Sequence, residues 1–132
     1  MKTEFWYLTL TVLFTGLLWV PYVLDRLAVR GLLDTLGYPQ NPRPQSPWAQ
    51  RLMKAHTNAI ENLVIFALLV FVADVTGVPD ATISYACILY FWARIVHATV
   101  YTFALPWMRT IAFTVGFLCQ ATLAWSILVS HA

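Results

Sequence analysis

Four long apolar stretches, at residues 4–24, 59–78, 81–105 and 107–130, occupy most of the chain. Each has close to the ~20 residues that a helix needs to cross the hydrocarbon of a bilayer. Charged residues are 11% of the sequence and hydrophobic residues 60%, whereas soluble domains carry roughly 25% charged residues. A water-soluble fold is therefore excluded by composition. Inside a bilayer every backbone polar group must find its partner within the segment, which favours helices. The expected architecture is all-α: an integral membrane four-helix bundle in which residues 1–132 form a single four-span domain.

Lys2 precedes the first apolar stretch, as in a secretory leader. However, Trp6, Tyr7, Trp19 and Tyr22 flank it as interfacial aromatics, and no small-residue cleavage site follows. It is expected to be a retained helix. Cys87 and Cys119 lie inside apolar stretches without CxxC spacing or a basic neighbour, which reads as packing. A net charge of +2, with scattered basic residues, is too weak a footprint for nucleic acid. The position of the charges is more informative than their sum. Arg26, Arg30, Arg43, Arg51 and Lys54 crowd the first connection, Asp74 and Asp80 bracket the second, and no Lys or Arg follows Arg109. The positive-inside rule then makes the first connection cytoplasmic and both termini non-cytoplasmic.

Asp25, Arg26 and Arg30 continue a helical pattern beyond the first span as far as Gly31 or Gly37, and Pro21 is expected to kink it. Residues 37–47 hold four of the seven prolines and read as a non-helical linker. Ser46 before Pro47 predicts a helix start with a hydroxyl cap. From there a helix to Val75 would be about 43 Å long, beyond the ~30 Å hydrocarbon thickness. Its polar first half must project into the cytoplasm or line a cleft. The stretch from Thr76 to Asp80 predicts a tight turn between antiparallel neighbours, and Pro106 is expected to open the last helix.

On the helix from Pro47, residues Arg51, Lys54, Asn58 and Glu61 share an arc of about 80°, and on the next helix Tyr90, Arg94, His97 and Tyr101 share about 60°. Arg51 and Lys54 alone would also suit a solvated face at the membrane surface. Arg94 is harder to place, because a charge at mid-span costs about 2.5–3.5 kcal/mol and must face the interior or a cavity. Glu61 is its carboxylate candidate, so the pair is expected to lie within salt-bridge or single-water distance. Two readings of Arg94 stand: an ion pair that fixes packing, or a site for an anionic ligand. Arg109 and Thr110 begin the last helix on the same membrane side, as a positive-inside anchor or as part of that site. Gln120 and Ser126 are expected to make hydrogen bonds between helices. His56 points away from the Arg51 stripe, and a lone His97 is more often a hydrogen-bonded core histidine than a ligand. No HxxxH or HxxE pairing is present, so no metal centre is expected.

The segments RLMKAHTNAIEN (Arg51 to Asn62), RIVHATVY (Arg94 to Tyr101) and PWMRTIAF resemble the MAPEG family, membrane-associated proteins of eicosanoid and glutathione metabolism, and look most like its bacterial microsomal-glutathione-transferase-like members. The resemblance spans nearly the full length. It implies a homotrimer in a bacterial inner membrane, with glutathione as co-substrate bound between subunits near the cytoplasmic face, and a lipophilic small molecule arriving from the membrane lipids. By the same resemblance Arg51, Lys54, Asn58, Glu61, Arg94, His97 and Tyr101 would hold glutathione, and Arg109 would stabilise its thiolate. Lys54 stands where family enzymes usually have arginine, Thr57 where some members are basic, and Phe113 where a prostaglandin-synthase-like member has tyrosine. The stretch from Tyr101 to Arg109 is one residue shorter than in that member. The activity implied is conjugation of glutathione to hydrophobic electrophiles, with a glutathione-dependent peroxidase as a variant; the alternative is a non-catalytic lipid-binding or scaffolding protein of the same family.

Overall fold

The computed structural model describes all residues from Met1 to Ala132, and its regular structure is all helical, with no strand. Its helices are α1 (Thr3–Leu17), α2 (Trp19–Leu36), α3 (Pro47–Val75), α4 (Asp80–Thr102) and α5 (Met108–Ser130). Together α1 and α2 make one long span, so four helical segments are long and apolar enough to cross a membrane. The protein is an integral, multi-pass membrane protein.

The break between α1 and α2 follows from Pro21, which has no N–H for the carbonyl of Leu17, the residue at which α1 ends. This is the expected kink: Leu18 between them keeps helical angles, φ −63° and ψ −20°, and its N–H bonds the Thr15 carbonyl. Within α2 the backbone departs again from helical geometry at Gly31, with φ at 78°. The linker that follows folds back onto α2. Asp25 Oδ2 accepts from the Ser46 N–H at 3.0 Å and from Gln45 Nε2 at 3.2 Å. Gln45 Nε2 also donates to the Tyr22 carbonyl, Arg26 Nε to Gln45 Oε1, and Arg30 Nε to the Arg43 carbonyl. Two cations of the basic connection are thus used to hold it. Ser46 precedes α3 as expected, with Pro47 in the first turn, but its hydroxyl makes no capping bond; the Ser46 N–H is what anchors this helix start.

The end of α3 is a Schellman turn. Gly77, at φ 79°, lets its N–H reach the Asp74 carbonyl at 3.3 Å and the Val78 N–H reach that of Ala73 at 3.0 Å, while Val78 is buried beneath. This reverses the chain into α4, as the spacing predicted. The same motif ends α4, where the Ala104 N–H bonds the Tyr101 carbonyl and the Leu105 N–H that of Val100. Here the left-handed position is taken by alanine, with φ at 55°. Trp107, at φ 69°, then closes a three-residue turn in which the Met108 N–H donates to the Pro106 carbonyl at 2.8 Å. This is the less common, strained hand of γ-turn. The last helix therefore starts at Met108, not at Pro106, because the chain needs that turn to change direction first.

Helix α4 is the centre of the bundle, packed against α1, α3 and α5. Ile83, Cys87, Tyr90, Arg94 and His97 follow one another at alternating intervals of four and three along its buried seam. Tyr90 stacks on Phe66 with ring centres 3.7 Å apart, within a core that includes Val70, Cys119 and Leu123. A second, smaller core of Leu18, Leu52, Ala59 and Ala98 lies toward the other end. Both cysteines are free and buried, in keeping with packing. Between the two apolar layers sits a polar one, containing Arg94 and His97.

Candidate functional site

Arg94 is 2% exposed, although a guanidinium at this depth must find polar company. Its Nη2 donates to Asn58 Oδ1 on α3 at 2.8 Å. Glu61 is exposed on the side of α3 and forms no salt bridge; every salt bridge in the chain belongs to Lys2. The expected direct pairing of Arg94 with Glu61 is corrected on this point. Helical phase explains the result. At about 100° per residue, Arg51 and Asn58 lie about 20° apart, as do Lys54 and Glu61, but the two pairs are separated by about 60°. The first pair turns toward α4 and the second, including Lys54, toward the outside.

Asn58 is held in place by its neighbours. Gln120 on α5 donates to Asn62 at 3.3–3.4 Å, and Asn62 Nδ2 donates to the Asn58 carbonyl at 2.9 Å. Gln120 thus bonds between helices as expected, whereas Ser126 donates no side-chain hydrogen bond to another helix. His56 turns away from this layer and bonds through Nδ1 to Tyr22 Oη at 2.8 Å.

One turn further along α4, the His97 ring meets Tyr101 edge-on at 5.6 Å, and Phe113 of α5 is 6.3 Å away. The Arg109 guanidinium lies over the Tyr101 ring, 4.6 Å from its centre, a cation–π contact that fixes a long side chain otherwise exposed. Asn58, His97, Tyr101, Arg109, Thr110 and Phe113 line an open cavity of about 180 Å³. A second cavity of about 230 Å³ adjoins it, sharing Tyr101, Arg109 and Thr110 and adding Arg51 and the turn from Ala104 to Trp107. Arg51 Nε donates at 2.8 Å to the carbonyl of Thr102, one of those left without a partner where α4 ends.

The residues anticipated from sequence therefore divide. Arg51, Asn58, His97, Tyr101 and Arg109 line the two cavities, Arg94 is buried behind them on Asn58, and Lys54 and Glu61 line neither cavity. Tyr90, on the Arg94 stripe, belongs to the aromatic core. The contribution of the α4–α5 turn was not anticipated, since nothing about alanine or tryptophan announces a left-handed backbone; Pro106 was the one local signal of a turn there.

Electrostatically the site is one-sided. Two guanidiniums, from Arg51 and Arg109, line it and a third, Arg94, lies buried behind Asn58, none with a carboxylate partner. Arg94 Nε and His97 Nδ1 are buried and have no hydrogen-bond partner in the chain. Such an arrangement can receive an anion bearing several acceptors. Gly116 on α5 faces this layer, where an added Cβ would lie in ordinary van der Waals contact with the Tyr90 ring at 3.6 Å and Arg94 Cδ at 3.9 Å.

In comparison with known proteins, the model of the MAPEG family matches residues 5–129. No curated protein matches the chain.

Proposed function

This chain belongs to the MAPEG family, and on that premise we propose that it is a membrane glutathione transferase, joining the glutathione thiolate to hydrophobic electrophiles at the cytoplasmic face of a bacterial inner membrane. The observation that carries the reading is the buried Arg94, which has a neutral amide as its partner and no carboxylate. A chain that needed Arg94 only for packing would gain by pairing or replacing it. Glutathione has two carboxylates, an amine and a thiol, and the residues present suit it. Arg51 and Arg94 offer charge-assisted donors, Asn58 and Tyr101 offer neutral ones, and the exposed Glu61 and Lys54 suit contacts at a boundary between the subunits of a homotrimer.

Arg109 is assigned the sulfur. It borders both cavities and is held by the Tyr101 ring. A cation there favours the thiolate over the thiol and so raises the reactive fraction at neutral pH. In the reaction a sulfur–carbon bond forms at the electrophile as its leaving group departs with the bonding electrons; with a peroxide, the thiolate would attack oxygen instead. The lipophilic partner reaches Arg109 along the groove between α4 and α5, about 290 Å³ in volume and lined by Leu89, Trp92, Val96, Met108, Ile111 and Val115 among its apolar walls.

Calorimetric titration of glutathione into the purified protein in detergent tests the reading, followed by its ultraviolet spectrum. Saturable binding with a thiolate band at neutral pH is expected. Binding without the band, or no binding, would overturn the transferase and leave a lipid-binding or scaffolding role.

A further inference from the structure

At the opposite end of the bundle, three carboxylates far apart in sequence converge. Glu4 lies in the first turn of α1, Asp74 in the last turn of α3 and Asp80 at the first position of α4, brought to Asp74 by the Schellman turn at Gly77. One carboxylate oxygen from each lies within 4.8 Å of the other two. Lys2 reaches over the group, its Nζ 2.7 Å from Asp74 Oδ1, 3.3 Å from Asp80 Oδ1 and 3.9 Å from Glu4 Oε1.

Two features separate this from an ordinary acidic surface. Glu4 is 1% exposed; its Oε2 accepts from Ser84 Oγ at 2.8 Å, but Oε1, on the side of Lys2, accepts no hydrogen bond. A buried carboxylate oxygen in that position has lost water without gaining a donor. The charges are also unbalanced, three negative against one positive. A dication would neutralise what one ammonium leaves.

We propose that Glu4, Asp74 and Asp80 form a site for a hard divalent cation, calcium being the best fit, and that the Lys2 ammonium is an internal counter-ion which the metal displaces. An all-oxygen donor set is what calcium and magnesium require. Calcium tolerates irregular geometry and completes its shell with water; the half-exposed approach past Lys2 and Asp80 leaves room for it, their side chains being 47% and 67% exposed. The metal would fasten the start of α1 to the α3–α4 turn more firmly than the flexible lysine does. In the orientation expected from the basic first connection, this end faces away from the cytoplasm, where weak calcium sites of extracellular type are filled. The inference does not depend on the glutathione reading, since the two sites lie at opposite ends of the helices.

The test is calorimetric titration of calcium chloride into full-length protein freed of divalent ions, in detergent. The wild type should bind one calcium with a Kd of about 10⁻³ M or tighter, the range of extracellular modules. Because the metal must displace the Lys2 ammonium from its carboxylates, an attraction worth about fivefold for a single pair at about 4 Å even at the dielectric of water, Lys2→Gln should gain affinity about fivefold or more. Glu4→Gln and Asp80→Asn should each lose it. The Asp80 side chain is largely exposed, so that variant folds even if the Glu4 change disturbs α1. Absence of binding by Lys2→Gln, or wild-type affinity in both carboxylate variants, would overturn the proposal.

Discussion

Asn58→Ala removes the single acceptor that Arg94 has within the chain, the 2.8 Å bond from Nη2 to Oδ1. Arg94 is 2% exposed, so little water can replace the lost partner. A hydrogen bond to a charged group contributes about 1.5–3 kcal/mol, and leaving the charge buried places the loss in the upper part of that range, about 2–3 kcal/mol. Arg94→Met keeps an unbranched side chain but discards the charge together with its need for a partner, and should be close to neutral or stabilising in the ligand-free protein. The double variant should then recover most of the stability lost by Asn58→Ala, giving a coupling of about 1.5–3 kcal/mol. Denaturant unfolding of the four proteins in one detergent measures this cycle. Glutathione at about 100 times its Kd should stabilise the wild type by about 2.7 kcal/mol and Arg94→Met much less. Wild-type stability in Asn58→Ala, or a loss in Arg94→Met as large as in Asn58→Ala with no coupling, would refute the reasoning that Arg94 is kept as a ligand group at a cost in stability.

Arg109→Ala should lower kcat far more than it weakens glutathione binding, and activity should return as pH rises toward about 8.5–9, where a free thiol ionises unaided. Steady-state rates against pH with an aryl halide electrophile check it; loss of affinity alone would contradict the assignment of Arg109 to the sulfur. Arg51→Ala should mainly raise KM in the same assay, and should also cost about 1 kcal/mol of stability through the freed Thr102 carbonyl. Ala104→Gly should raise the unfolding free energy by about 0.5–1 kcal/mol, because the left-handed backbone that alanine strains to adopt costs glycine little. Denaturant unfolding measures that change directly.

Much of this architecture was legible because it depends on the order of residues along one helix. Apolar length marked the spans, Gly77 and Pro79 marked the reversal before α4, and helical spacing put Asn58 with Arg51 and His97 with Arg94. Those relations are local: about 100° of rotation per residue holds whatever else the chain does. A stripe 80° wide, however, does not say which of its edges faces the neighbouring helix. That angle is settled by packing, where Phe66 stacks on Tyr90, and it turned Asn58 inward and left Glu61 exposed. The left-handed backbones at Ala104 and Trp107 likewise have no signature in their side chains; they arise because a short connection must end one helix and redirect the next. The convergence of Glu4, Asp74 and Asp80 is the clearest case. The sequence by itself determined that helices would cross a membrane and which polar residues each would carry at which height and phase, because covalent order and helix geometry suffice for that. Only the tertiary structure decided which of those residues meet, because the rotation of each helix about its axis is set by the side chains packed against it.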